Sequence, residues 1–156
     1  MGAPKTTGPL TPYDEKLLAT LLYEIILNEK DIEEAKMKLA ECADFNLMDA
    51  FSMIDDKSLG WTSATQIYKC LVTNGIFVHK DDVYQFTRRF DRDYDSKLLY
   101  SDFCEAMTPK DTYYAHNLQQ RKPKYIHVKE VPKKFYFADQ TRDTMFQLYK
   151  THFLVD

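Results

Sequence analysis

The chain has 156 residues, a formal net charge of −3, and 44% hydrophobic and 14% aromatic residues. This composition excludes a disordered chain, and the length fits a single domain with a buried core. No apolar run is as long as a membrane span and no signal peptide precedes the domain, so we expect no membrane partner.

The N-terminal part of the chain is predicted to be helical after a short flexible segment, residues 1–10. Residues 11–14 read threonine, proline, tyrosine and aspartate, a capping signal for a helix start. Leucines and isoleucines at helical spacing in residues 17–26 predict a first helix, and residues 31–43 predict a second. Such apolar stripes can bind a partner helix or close the domain's own core, and we expect the core.

A further short helix leads into residues 55–66, the first of two acidic loops of twelve residues. Gly60 stands at the sixth position, where a tight turn requires positive φ. Lys57 at the third position repels a cation, and Leu59 at the fifth offers no side-chain oxygen. Gln66 ends the loop where an acidic residue is needed. We therefore expect this loop to bind no metal and to have a structural role.

The second loop, residues 91–102, carries carboxylates on alternate positions between two predicted helices. Calcium takes six to eight oxygen ligands, and a helix–loop–helix unit with this order of parts is an EF-hand. The candidate metal ligands are the side chains of Asp91, Asp93, Asp95 and Asp102 and the backbone carbonyl of Lys97.

Two residues of this second loop differ from the EF-hand pattern, and both differences weaken the case for calcium binding. Ser96 stands at the sixth position in place of glycine, and Asp102 stands at the twelfth in place of the longer glutamate. We expect at most one weak calcium site in the chain, for which magnesium competes.

The two loops are spaced as a pair, because Asp55 and Asp91 lie 36 residues apart. A helix capped by Ser63 and ended at residues 74–75, a short linker and an entering helix fill the interval. We expect Thr62 of the first loop to pair backbone-to-backbone with Leu98 of the second.

The C-terminal third differs in charge from the rest of the chain. Residues 1–109 have a net charge of −7, whereas residues 110–156 have nine Lys and Arg against five Asp and Glu, a net charge of +4. A short helix near residues 113–118 is followed by residues 121–134, a basic stretch punctuated by proline that is predicted to be extended. It is either a solvated linker or a strip that lies along an acidic surface.

The chain ends in a predicted amphipathic helix that either covers its own domain or docks on a partner. Its apolar face comprises Met145, Leu148, Tyr149, His152 and Phe153. We expect His152 to be a packed or partner-contacting ring rather than a ligand, and protein–protein contacts to be made through residues 121–156. No nucleic-acid motif accompanies the basic stretch, so no nucleic-acid partner is expected.

No catalytic or cofactor-binding residues are predicted. The sequence has no glycine-rich phosphate loop or nucleophile elbow, and its four histidines are scattered. The three cysteines, Cys42, Cys70 and Cys104, are far apart and odd in number. Free thiols in a reducing compartment such as the cytoplasm are therefore expected.

Residues from about 47 to 109 resemble the calmodulin-type EF-hand pair. A larger part of the chain resembles the EF-hand modules of ciliary and flagellar microtubule inner proteins. The residues that show this resemblance are 89–95, 99–104, 113–115 and 121–123, and near the C-terminus Thr141, Arg142, Phe146, Tyr149 and Thr151 to Phe153.

This resemblance implies a non-enzymatic structural protein of the cytoskeleton, located in the cilium axoneme. It would bind tubulin and neighbouring inner proteins on the luminal surface of doublet microtubules and stabilise the doublets. The alternative is a soluble calcium-dependent regulatory subunit, similar to calmodulin or calcineurin B, that grips a target helix. Together the patterns of the sequence predict an all-α protein with an EF-hand pair within residues 11–109, two helices before it, and a C-terminal extension of residues 110–156.

Overall fold

The computed structural model describes residues 9–125, 128 and 130–154. Most of the predicted N-terminal flexible segment, Lys129 of the basic stretch and the last two residues lie outside these residues. The seven helices of the described chain are α1 (Pro12–Glu41), α2 (Leu47–Ile54), α3 (Ala64–Thr73), α4 (Lys80–Phe90), α5 (Tyr100–Met107), α6 (Thr112–Gln120) and α7 (Asp139–Phe153). Two short strands are β1 (Trp61–Thr62) and β2 (Leu98–Leu99). The all-α fold class is confirmed.

Helix α1 begins where the capping signal predicts. The Thr11 hydroxyl accepts a hydrogen bond from the Asp14 N–H (3.1 Å), and the Asp14 carboxylate accepts one from the Thr11 N–H (3.3 Å). The prediction of two helices before the loops is wrong, because α1 continues without a break to Glu41. Residues 13–41 contain neither glycine nor proline, the two residues that most disfavour a helix interior. The sequence therefore has no strong helix breaker between the two predicted helices.

Two helix–loop–helix units follow, α2–loop–α3 and α4–loop–α5. Their loops meet in an antiparallel pair in which Trp61 lies opposite Leu99 and Thr62 opposite Leu98, as predicted. Asn46, Ser63 and the Asn74–Gly75 ending bound α2 and α3 as local capping rules require.

The C-terminal third packs against these units. Helix α6 contacts α1, and residues 121–132 contain no helix or strand among those described. A single 3₁₀ turn, Lys133–Phe135, precedes α7. Helix α7 lies against α1 and α4 and buries Met145, Leu148, Tyr149 and Phe153.

The core joins all of these parts into one cluster. Its largest fully buried side chains include Phe45, Phe86, Phe103 and Tyr149, contributed by the α1–α2 connection, α4, α5 and α7. Within the described residues, no helix has the length and apolarity needed to cross a lipid bilayer.

Candidate functional site

The loop of residues 91–102 is organised around its first residue. Asp91 follows α4 and is buried, and its carboxylate accepts hydrogen bonds from the N–H groups of Asp95 (3.4 Å) and Ser96 (2.7 Å). Asp95 in turn accepts from the Lys97 N–H (3.0 Å). The loop is thus closed by side-chain-to-backbone bonds that its own sequence supplies.

Asp102, the last candidate ligand, caps the start of helix α5. Asp102 is buried in the first turn of α5, where its carboxylate accepts a hydrogen bond from the Leu99 N–H (3.0 Å). This bond satisfies one backbone donor at the helix start, and the negative charge there is favourable to the helix dipole.

Two residues of this loop have left-handed backbone. Tyr94 has φ of 54° and Ser96 has φ of 64°. The positive φ at Ser96 is the conformation expected of the sixth position, and a non-glycine residue there costs about 1 kcal/mol.

The loop of residues 55–66 repeats this geometry. Asp55 is buried and accepts hydrogen bonds from the N–H groups of Leu59 (3.0 Å) and Gly60 (2.9 Å), the same offsets as in the second loop. Ser58 (φ 53°) and Gly60 (φ 83°) are left-handed at the equivalent positions. At the twelfth position the Gln66 side chain accepts from the Thr62 hydroxyl (3.0 Å). The first loop therefore has the same closure as the second, although Lys57, Leu59 and Gln66 stand where the second loop has aspartates.

The candidate ligands fit a hard cation in kind but do not converge in this arrangement. Carboxylates and a carbonyl are the donors that calcium prefers. Asp91 and Asp102 are turned to backbone N–H groups, whereas Asp93 and Asp95 are exposed. Among the described residues, no three His, Cys, Asp or Glu side chains are grouped to hold a metal ion.

Side chains that are not candidate ligands hold the second loop to neighbouring parts of the chain. The Lys97 ammonium lies over the Trp61 ring, 4.8 Å from its centroid, so a cation–π contact spans the two loops beside the paired strands. Arg92 forms an ion pair with Glu105 of α5.

The basic stretch after α6 is bonded to the domain rather than spread over solvent. Arg121 donates to the carbonyls of Ala40 (2.5 Å), Cys42 (2.9 Å) and Phe45 (3.1 Å), which lie at and just beyond the C-terminal end of α1. Ala40 lies in the last turn of α1, where carbonyls lack an intrahelical partner, so the guanidinium satisfies one of these and also joins the stretch to the α1–α2 connection.

Two further contacts continue this attachment across α2. The buried Asp49 carboxylate accepts from the N–H groups of Lys124 (2.9 Å) and Tyr125 (3.1 Å). Lys133 donates to the Ser52 carbonyl (2.6 Å). Sequence reasoning missed these roles because the acceptors are mainly backbone carbonyls, which leave no signal in a sequence.

Three lysines of the stretch, Lys122, Lys124 and Lys134, are exposed. They are the described residues of this segment that remain available to an acidic surface.

Helix α7 covers the α4 side of the second unit. The ring of Phe86 in α4 lies 5.0 Å from that of His152 and 5.6 Å from that of Phe153, measured between centroids. His152 is 2% exposed and pairs with the Ala106 carbonyl through Nε2 (2.7 Å), and burial lowers its pKa to about 3. His152 is thus a packed, neutral ring, as expected, and the apolar face of α7 belongs to the core.

The apolar stripe of α1 does not close the core over its whole length, contrary to expectation. Every residue from 12 to 27 is exposed, and the large side chains of this half are 46–63% exposed on one face: Leu17, Leu18, Leu21, Leu22, Ile25 and Ile26. Burial begins in the other half, at Ala35, Lys36, Leu39 and Ala40. The spacing of apolar residues predicted which face of α1 is apolar. It could not predict that the other described helices pack only against the C-terminal half of α1.

The described cysteines are free, and each is partly buried. Burial raises the pKa of the Cys70 thiol to about 11 and also raises that of Cys104. Thiols of this kind are largely protonated near neutral pH and react slowly.

Comparison with known proteins found no match to this chain. No protein family, no curated protein and no solved structure matches this chain.

Proposed function

We propose that the two helix–loop–helix units form an EF-hand pair, and that the protein is a non-enzymatic structural module of the ciliary axoneme. In this proposal it binds the luminal surface of doublet microtubules and stabilises them. The equivalent hydrogen bonds of Asp55 and Asp91, 36 residues apart, and the pairing of Thr62 with Leu98 support the EF-hand assignment. The sequence resemblance to ciliary inner proteins supports the location.

The observation that carries a structural role is that the chain covers its own EF-hand units. A calcium sensor opens to expose an apolar groove for a target helix. Here Phe86 of α4 packs against α7. Helix α2 is hydrogen-bonded, through Asp49 and the Ser52 carbonyl, to the basic stretch that follows α6. Opening would break these contacts, so a fixed scaffold is the function that this arrangement favours.

Metal has a minor part in this proposal. Residues Asp91, Asp93, Asp95, Lys97 and Asp102 would supply one weak site for calcium or magnesium, and the carboxylates of Asp91 and Asp102 keep lone pairs for an ion beside their backbone N–H bonds. The first loop holds its shape without acidic ligands at its third, fifth and twelfth positions. In this proposal the side-chain-to-backbone hydrogen bonds of Asp55 and Asp91 set the shape of the loops, and metal would add to it.

Attachment to tubulin would use charge as well as apolar contacts. Tubulin surfaces are acidic, and Lys122, Lys124 and Lys134 present positive charge on one segment. Each exposed ion pair contributes little by itself, so these lysines would orient the module rather than hold it alone.

One observation favours the alternative, a calcium-dependent regulatory subunit. A cleft of about 540 Å³ beside the first loop is lined by Met48, Phe51 and Tyr100 together with polar groups of that loop. Methionine and aromatic side chains are suited to gripping a target helix.

Calcium addition and chelation distinguish the two functions. The purified protein should bind a hydrophobic dye equally with calcium and with chelator, and a tagged copy should stay on salt-washed axonemes through chelation. The matched variant Asp91→Ala with Asp93→Ala should also be retained there. Calcium-induced dye binding, or release of the protein on chelation, would favour the regulator.

A further inference from the structure

The exposed apolar face of α1, defined as Leu17, Leu18, Leu21, Leu22, Ile25 and Ile26, is left uncovered by the described residues of the chain. Sixteen consecutive exposed residues extend for about 24 Å at the rise of an α-helix. A helix of that length without packing is marginal in water, and contiguous apolar surface of this kind marks an interaction site.

This face continues the surface by which α1 binds α7. Counting by three and four residues, Leu18, Leu21 and Ile25 lead through Asn28 to Ile32, Ala35 and Leu39, which are partly or fully buried. This is the spacing of a helix-packing seam.

Helix α7 ends where the exposed face begins. Asp31 of α1 and Thr151 of α7 line the same cleft, and α7 stops at Phe153. A second helix placed beyond this end would extend the α1–α7 packing along the same side of α1.

The charge of this region decides between occupants. Residues 12–31 contain five acidic residues and two lysines, a net charge of −3, with Glu15, Glu24 and Glu29 exposed. The C-terminal end of α7 adds the partial negative charge of its carbonyls. Two copies of this chain would bring two acidic segments together, whereas a basic helix would be attracted.

We propose that the exposed apolar face of α1 docks an amphipathic α-helix of another protein whose apolar stripe is flanked by Lys or Arg. The inference rests on the proposed function in that this helix belongs to a neighbour in the same assembly. Its contacts would bury Leu21 and Ile25 at the centre of the seam and set basic side chains against the glutamates.

The test uses the full chain and two synthetic helical peptides of about three heptads, with leucine at the seam positions and either lysine or glutamate at the flanks. We expect the lysine peptide to bind at least about tenfold more tightly than the glutamate peptide at low salt, and less tightly as salt rises. Fluorescence anisotropy measures both affinities.

Variants place the binding on one face. Leu21→Gln with Ile25→Gln should weaken binding of the lysine peptide by at least about tenfold. Tyr23→Gln with Leu27→Gln removes exposed apolar residues at the same spacing from the opposite side of the helix and should change it by less than about twofold. Circular dichroism checks that both variants remain folded.

Three results would overturn the proposal. These are binding of neither peptide, equal binding of both, or a dimer of the chain, seen by sedimentation, that Leu21→Gln with Ile25→Gln dissociates. The last result would identify a second copy as the occupant. None of these measurements depends on calcium or on axonemes, so the docking proposal can be refuted independently of the proposed function.

Discussion

Replacing Asp49 by alanine tests whether the basic stretch is part of the folded domain. The Asp49 carboxylate in α2 is fully buried and accepts hydrogen bonds from the backbone N–H groups of Lys124 and Tyr125 and from the Asn46 amide (2.7 Å). A hydrogen bond to a charged group contributes about 1.5–3 kcal/mol. The two bonds to the stretch are partly exposed and share one acceptor group, so we expect Asp49→Ala to lower the free energy of unfolding by about 3 kcal/mol in total.

Two variants control for this substitution. Asp49→Asn keeps one acceptor oxygen and sets an NH₂ group against the other backbone donor, so we expect about half of the loss. Asp56→Ala removes an exposed carboxylate two residues beyond α2 and should change the free energy of unfolding by less than about 0.5 kcal/mol.

Urea unfolding of these variants is followed by far-ultraviolet circular dichroism and by the fluorescence of Trp61, the single tryptophan. The reasoning would be refuted if Asp49→Ala lost less than about 0.5 kcal/mol. It would also be refuted if the C-terminal segment unfolded in a separate early transition, since that would make it an appendage.

Three further substitutions test the loops and the core. Ser96→Gly relieves a left-handed backbone at a non-glycine residue and should raise the free energy of unfolding by up to about 1 kcal/mol in urea titrations, whereas a loss would show that the Ser96 side chain is needed. Leu148→Ala opens a cavity in the fully buried face of α7 and should cost about 2–5 kcal/mol, and a cost near zero would place α7 outside the core. Because burial lowers the pKa of His152 to about 3, the unfolded chain binds a proton near pH 6.5 that the folded chain does not, so stability falls as the pH falls. Between pH 7 and pH 5 this residue should remove about 2 kcal/mol, and His152→Gln should reduce that slope in denaturation curves measured at both pH values, whereas an unchanged slope would contradict the assignment.

Local signals predicted the helices and loops well. The cap at Thr11, the cap at Ser63 and the ending at Asn74 each depend on a few neighbouring residues. Interactions of that range are written directly in the sequence, so spacing and residue type are sufficient to find them. The pairing of Thr62 with Leu98 is long-range, but the equal lengths and regular spacing of the two loops predicted it.

What the sequence could not predict depends on contacts between distant segments. The pattern of α1 gave a correct apolar face, but whether Leu21 is covered depends on where α7 ends, more than a hundred residues later. The separate second helix expected over residues 31–43 was inferred from the spacing of apolar residues, and that spacing does not by itself mark a break in a run without glycine or proline.

The basic stretch shows the same limit for charge. Its lysines and arginine suggested an acidic partner, yet Arg121 and Lys133 satisfy carbonyls of the chain itself. A count of charges cannot separate a cation that caps a helix from one that faces solvent, because the acceptor is backbone. Among the described residues of the stretch three lysines are exposed, and because an exposed ion pair contributes little, the proposed attachment would depend more on the apolar face of α1.

The two loops separate the requirements of shape from those of metal binding. Each loop is closed by its first aspartate, Asp55 or Asp91, and by two residues at positive φ, and the paired strands lie between them. The third, fifth and twelfth positions, where the loops differ most, are not needed for that closure. Residues without a carboxylate, such as Lys57 and Gln66, can therefore stand at these positions while the loops still hold their four flanking helices in place. For a scaffold that depends on shape such residues cost little, whereas a calcium switch needs acidic ligands there.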